Sequence, residues 1–187
     1  MKNFLRPVYS MKNLQRYVVS AMFISLCVVM PMVFHALPGA GNTFLPMHIP
    51  VLLCGLVVGK YYGFLTGMFG PLLSSFVRGM PQMAYVPVMM AELAVYGFVA
   101  GLIFCILRTK NHYFNMYVAL VVAMVAGRIV AGVFRALFFM PVVDTTIMAW
   151  WVASYFVTSL PGIILQLIGI PIIVVSLERA RVLRRVG

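Results

Sequence analysis

The sequence predicts an all-α integral membrane protein with six transmembrane helices and both termini in the cytoplasm. Three observations carry this. The chain of 187 residues is 64% hydrophobic, its mean hydropathy is +1.05, and only 9% of it is charged. A soluble domain cannot hide that much apolar surface, so most of the surrounding solvent must be lipid. The length allows about six crossings at ~20 residues each. The 14 Lys and Arg residues mostly flank apolar runs, as orientation signals do.

The first helix is expected over residues 14–36. Lys2, Arg6, Lys12 and Arg16 before an apolar run imitate a signal peptide. The run from Tyr17 to Ala36 is longer than a typical signal core, so it reads as a retained helix. "HALPGAGNTFLPMH", rich in Gly and Pro, is a loop. A second helix over 46–60 turns at Lys60 and Tyr61 into a third over 62–79. After the loop "RGMPQMAYVP" comes a fourth helix over 86–107, and after "LRTKNHYFN" a fifth over 115–140. "MPVVDTTIMAW" opens a longer connection with room for a short interfacial helix carrying Trp150 and Trp151. A sixth helix covers 156–177, and "ERARVLRR" follows it. All of this reads as one membrane domain over residues 1–187.

Charge sets the orientation. With cytoplasmic termini, eleven cations fall inside: Lys2, Arg6, Lys12, Arg16, Lys60, Arg108, Lys110, Arg179, Arg181, Arg184 and Arg185. The outer loops hold only Arg78. The positive-inside rule therefore chooses this arrangement. Helices two and three share only about 35 residues, short for two full crossings. A re-entrant hairpin, leaving four spans, is the alternative.

In "GLVVGKYYGFLTG", glycine recurs at Gly55, Gly59, Gly63 and Gly67. Apolar burial does not drive helix against helix in lipid, whereas close backbone approach through small residues does. Gly97 and Gly101 repeat the spacing, as do Ala123, Gly127 and Ala131. Internal packing of a small bundle is the plainer use, and docking to a partner membrane protein the other.

Three charges fall inside expected spans. Each costs roughly 2.5 to 3.5 kcal/mol on insertion scales, so such charges are usually paired or functional. Glu92 lies in helix four; Arg128 and Arg135, seven residues apart, share one face of helix five. At 1.5 Å per residue, Glu92 lies ~9 Å and Arg135 ~7 Å below the outer surface, so these two can be neighbours with Arg128 left over near the middle, and which arginine pairs with Glu92 stays open. The surplus arginine suits an anionic ligand group, since guanidinium forks match carboxylates and phosphates. Gln166 and Tyr96 would add hydrogen bonds, and His48 and Asn42 would close the top of the pocket. Phe44, Tyr85, Trp150 and Trp151 read as an interfacial aromatic belt.

Several function classes are excluded. The net charge of +11 is spent on orientation, so no nucleic acid is expected. No P-loop, G-x-S-x-G or H-E-x-x-H occurs, and three acidic residues are too few for a metal-dependent lipid transferase. The chain is read as a non-enzyme without cofactor or metal. Cys27, Cys54 and Cys105 lie in apolar segments as small buried residues. A stand-alone secondary transporter or channel-like protein for a small anion remains as the alternative to a binding subunit.

The basic N-terminus, Ala21-x-x-x-Ser25, "FLPMHIPVLLCGLVVGKYYGFLTGMFGPLLSSFVRGMP" and "ELAVYGFVAG" together resemble the substrate-binding S components of energy-coupling factor (ECF) transporters. The likeness covers nearly the whole chain and is strongest over 14–107. It implies six helices with both termini inside, a substrate site under the outer loops, and a location in the bacterial cytoplasmic membrane. It also implies three partners: a transmembrane coupling protein and two cytoplasmic ATPases. The family's small-residue motif on helix one, usually Ala-x-x-x-Ala, contacts the coupling protein; it maps here to Ala21 and Ser25, with serine departing from alanine. "MHIP" at Met47–Pro50 resembles the start of nickel and cobalt S components, but it is internal here and lacks their free terminal amine, so a metal is not expected. The implied substrate is a vitamin or related micronutrient. The arginines favour an anionic one, pantothenate first.

Overall fold

The computed structural model describes residues 9–35, 44–107, 109, 111–139 and 159–183. Among them are six α-helices: α1 Asn13–His35, α2 His48–Val57, α3 Lys60–Arg78, α4 Val86–Ile106, α5 His112–Phe139 and α6 Leu160–Arg179. A single 3-10 turn, Met83–Tyr85, leads into α4. Four of these stretches are long and apolar enough to cross a membrane: Asn13–Met32, Met83–Ile106, His112–Leu137 and Leu160–Arg179.

The remaining two helices differ from a simple pair of crossings. α2 has only 10 residues, ~15 Å of helix against a hydrocarbon core of ~30 Å. Every residue of it is buried. A helix that is apolar all round belongs inside, and α2 fills the middle of the bundle against α1, α3, α4 and α6. α3 has length, at 19 residues, but Thr66, Ser74, Ser75 and its terminal Lys60 and Arg78 make it less apolar.

The break between α2 and α3 falls at Gly59, whose φ of +123° is open to glycine and costly for other residues. The second helix therefore stops at Val57 rather than 60, and the third begins at Lys60 rather than 62. Lys60 is buried at this turn, its Nζ 5.1 Å from the centroid of the Tyr61 ring.

The glycine ladder is used inside the molecule. A Cβ on Gly55 would sit 2.3 Å from the Gly97 carbonyl oxygen, and one on Gly97 would sit 2.2 Å from that of Gly63. Gly67 meets the backbone of Leu93, and Gly101 meets the backbone of Lys60. The seam thus holds α2, α3 and α4 at backbone contact, the packing use of small residues in lipid.

Contacts fix the directions of the helices. Tyr17 meets Tyr62 near the starts of α1 and α3, with ring centroids 5.8 Å apart, and Met32 meets Arg78 near their ends. Tyr9, Phe104, His112 and Glu178 gather at the same end as those starts, called here the terminal end. His48, the first residue of α2, and Ser159, just before α6, mark the far end.

Candidate functional site

A chain of buried polar side chains crosses the far half of the bundle. His48 opens α2, with its Nε2 3.7 Å from Glu92 Oε1 on α4. Tyr96 follows Glu92 by one turn, so its hydroxyl returns along the same face and donates to Glu92 Oε1 at 3.2 Å. The Tyr96 ring also lies against His48, centroid to centroid 5.0 Å. From α5, Arg128 Nε donates to the Tyr96 hydroxyl at 3.3 Å. Its Nη2 donates to Ser159 Oγ at 2.9 Å, reaching the start of α6. Four helices are therefore joined by residues that are each at most 4% exposed.

Packing explains how α5 comes so close. A Cβ on Gly127 would lie 2.2 Å from the Tyr96 ring, so only glycine lets that ring lie flush beside Arg128. Gln166 is seven residues beyond Ser159, on nearly the same face of α6 and ~10 Å along it. It is 2% exposed, and its Nε2 has no hydrogen-bond partner among the described residues. The same holds for Nδ1 and Nε2 of His48.

The neighbour that depth allowed Glu92 is not the one it meets. Glu92 faces His48 and Tyr96, not Arg135. Arg135 is half-buried, with its guanidinium carbon 5.7 Å from the centroid of the Tyr85 ring. Counting residues down each helix gave similar depths for Glu92 and Arg135, but depth says nothing of which neighbour a side chain meets. The 3-10 turn before α4 places Tyr85 beside Arg135. Arg128, left over by that count, is the one joined to Glu92, through Tyr96.

His48, Glu92, Tyr96 and Arg128 are thus brought together, with Gln166 buried on the adjoining helix. Asn42, Trp150 and Trp151 lie outside the described residues. Ala21 and Ser25 are both exposed on α1, away from this site. The Ser25 hydroxyl donates to the Ala21 carbonyl at 3.0 Å, which folds it onto its own helix and keeps that surface shallow. Ser159 was missed from sequence, although a serine just before an apolar, proline-started run is a helix-start signal.

The whole arrangement, a lipid-suited bundle with a buried polar chain in one half, fits a membrane subunit that holds a small polar molecule. A family model, ECF transporter, substrate-specific component, matches residues 15–174. The chain belongs to this family. No curated protein and no solved structure matched the chain. As an ECF S component it is a substrate-binding membrane subunit, a transporter part rather than an enzyme, whose partners in general are a small-molecule substrate and an ECF module.

Proposed function

We propose that this S component captures a vitamin or related micronutrient from outside the cell, in the polar chain His48, Glu92, Tyr96, Arg128, Ser159 and Gln166. The observation that carries this reading is the burial of a complete carboxylate, guanidinium and imidazole set within one half of a bundle whose remaining interior is mostly apolar. Such a set is expensive in lipid and is kept where it is used. An anionic ligand such as pantothenate suits it: Arg128 would take the carboxylate, and the neighbouring groups the amide and hydroxyls. Arg135, half-buried over Tyr85, would draw the anion toward the site.

In this reading the domain spans residues 1–187 and crosses the bacterial cytoplasmic membrane six times, with both termini inside and the far end outward. The short α2 then contributes to a crossing without reaching across the core by itself. The far end holds Arg78, while Lys12, Arg16, Lys60 and Arg179 lie toward the terminal end, the distribution that positive-inside placement requires.

The chain would work with a transmembrane coupling protein and two cytoplasmic ATPases, docking the former through the shallow surface at Ala21 and Ser25. Uptake of labelled substrate by cells should vanish when the ATPase module is deleted. Undiminished uptake would favour a stand-alone secondary transporter instead. The Ala21→Leu/Ser25→Leu variant should lose co-purification with the coupling protein while the isolated chain still binds ligand; normal co-purification would remove the docking assignment.

A further inference from the structure

Buried polar atoms inside a lipid-embedded bundle are almost always hydrogen-bonded, because no bulk water reaches them. Nδ1 and Nε2 of His48 and Nε2 of Gln166 depart from this rule among the described residues. They stand on α2 and α6, two helices in contact, and both residues are at most 3% exposed. Glu92 and Arg128, by contrast, are linked through the Tyr96 hydroxyl and balance each other's charge. Beyond the Arg128 guanidinium assigned above to a ligand anion, the site therefore offers uncharged donor and acceptor capacity, beside an aromatic face.

We propose that His48 and Gln166 read a neutral donor–acceptor group of the amide, lactam or ureido class on the captured molecule. This rests on the capture reading above and narrows its substrate class. The Gln166 amide N–H donates to the ligand carbonyl. The neutral imidazole of His48 accepts the adjacent ligand N–H at one ring nitrogen and donates from the other. The Tyr96 ring, 5.0 Å from that of His48, supports a planar group. A bare carboxylate would meet only the donors and leave the imidazole acceptor unmet. A site built on such buried groups discriminates strongly against analogues that lack the matching atoms.

The experiment uses the full chain in lipid nanodiscs. Thermal shift is first read with matched pairs: pantothenate and panthenol, which share the amide but not the carboxylate, and nicotinamide and nicotinate, which exchange one for the other; biotin and riboflavin supply ureido and lactam groups. The tightest binder should carry an amide, lactam or ureido group, and His48→Phe or Gln166→Leu should each weaken it at least tenfold. Both variants are near-isosteric and remove the unbonded nitrogens, so without ligand each should melt at or above the parent temperature. A tightest binder lacking all three groups, or unchanged affinity in both variants, overturns the proposal. So does a fall of more than about 4 °C in both ligand-free variants, on the order of 1 kcal/mol for a chain of this size, because it would show the two side chains bonded within the fold. If the parent binds no member of the panel, it is the capture reading that fails, and the ligand-free melting comparison still decides whether these two side chains are bonded.

Discussion

Two clusters built from the same three residue types, Tyr, Glu and His, sit at opposite ends of the bundle, and they are made differently. At the terminal end, the Tyr9 hydroxyl donates to Glu178 Oε1 at 2.7 Å, and His112 Nε2 lies 3.1 Å from the same oxygen. At the far end, the matching distances are 3.2 Å from Tyr96 to Glu92 and 3.7 Å from His48 to Glu92. The first cluster is wrapped in aromatic packing: Phe104 lies 6.2 Å from the Tyr9 ring and 5.3 Å from the His112 ring, centroid to centroid. It clasps the segment before α1 to the end of α6 and the start of α5. The second cluster leaves the imidazole without a hydrogen bond among the described residues. Low dielectric makes a completed polar cluster rigid and a half-completed one costly. The difference separates a fastening from a place kept open for something else.

The largest effect would come from the support that both clusters share. α4 carries Glu92 and Tyr96 toward one end and Phe104 toward the other, and Gly97 pins it to α2 and α3. In Gly97→Leu the new Cβ would meet the backbone of Gly63, which cannot swing aside as a side chain would. The expected cost is at the upper end for overpacking, about 3 kcal/mol or more. Size-exclusion chromatography should show loss of monodisperse protein. A well-folded Gly97→Leu chain would mean that the two ends are not held by one seam.

Next comes the far cluster alone. Arg128→Gln removes a charged hydrogen bond to a ligand anion, at about 2 kcal/mol or thirtyfold in dissociation constant. Titration calorimetry with the molecule identified by thermal shift measures this. If the variant binds like the parent and only melts earlier, the far cluster is a fastening too, and the contrast collapses.

The terminal cluster should answer in the opposite sense. Tyr9→Phe deletes the short hydrogen bond to Glu178 while keeping the ring against Phe104. Unfolding should become easier by about 1.5 kcal/mol, the lower range for a bond to a charged group, with ligand affinity unchanged. A change in affinity without a change in melting would place the terminal cluster in the binding cycle rather than in the fold.

The seam was legible in sequence and the site only in part, for physical reasons. Glycines four apart in an apolar chain have few uses, so Gly55, Gly63 and Gly97 announced close helix contact. Lys60 after Gly59 announced a turn, and the turn is there. Charges in apolar helices are rare enough that Glu92 and Arg128 stood out. Their partners did not, because periodicity gives a residue's depth and face on its own helix but not the rotation of the next one. Which arginine stood nearer Glu92 stayed open for that reason; Arg128 reaches it through Tyr96, and Arg135 lies over Tyr85. Tyr9 carried no sequence signal, because its role exists only through Glu178, 169 residues away. No local pattern encodes such a contact.

The smallest expected effect tests the geometry of the contrast itself. Each end has a tyrosine hydroxyl donating to a glutamate, and a double-mutant cycle isolates that pair from its surroundings. For Tyr9→Phe with Glu178→Gln, the coupling should be about 1 kcal/mol, since a 2.7 Å bond to a carboxylate is short and charge-assisted. For Tyr96→Phe with Glu92→Gln it should fall below about 0.5 kcal/mol, because the 3.2 Å bond is longer and the same hydroxyl also receives Arg128 Nε. Reversible unfolding of the four chains in each cycle, in matched detergent without ligand, gives both numbers. Adding the bound molecule should then raise the far coupling and leave the terminal one alone, since only the far cluster has capacity for it to fill. Equal couplings without ligand, or a terminal value that moves with it, would show that distance and unmet bonding do not divide the two ends as described.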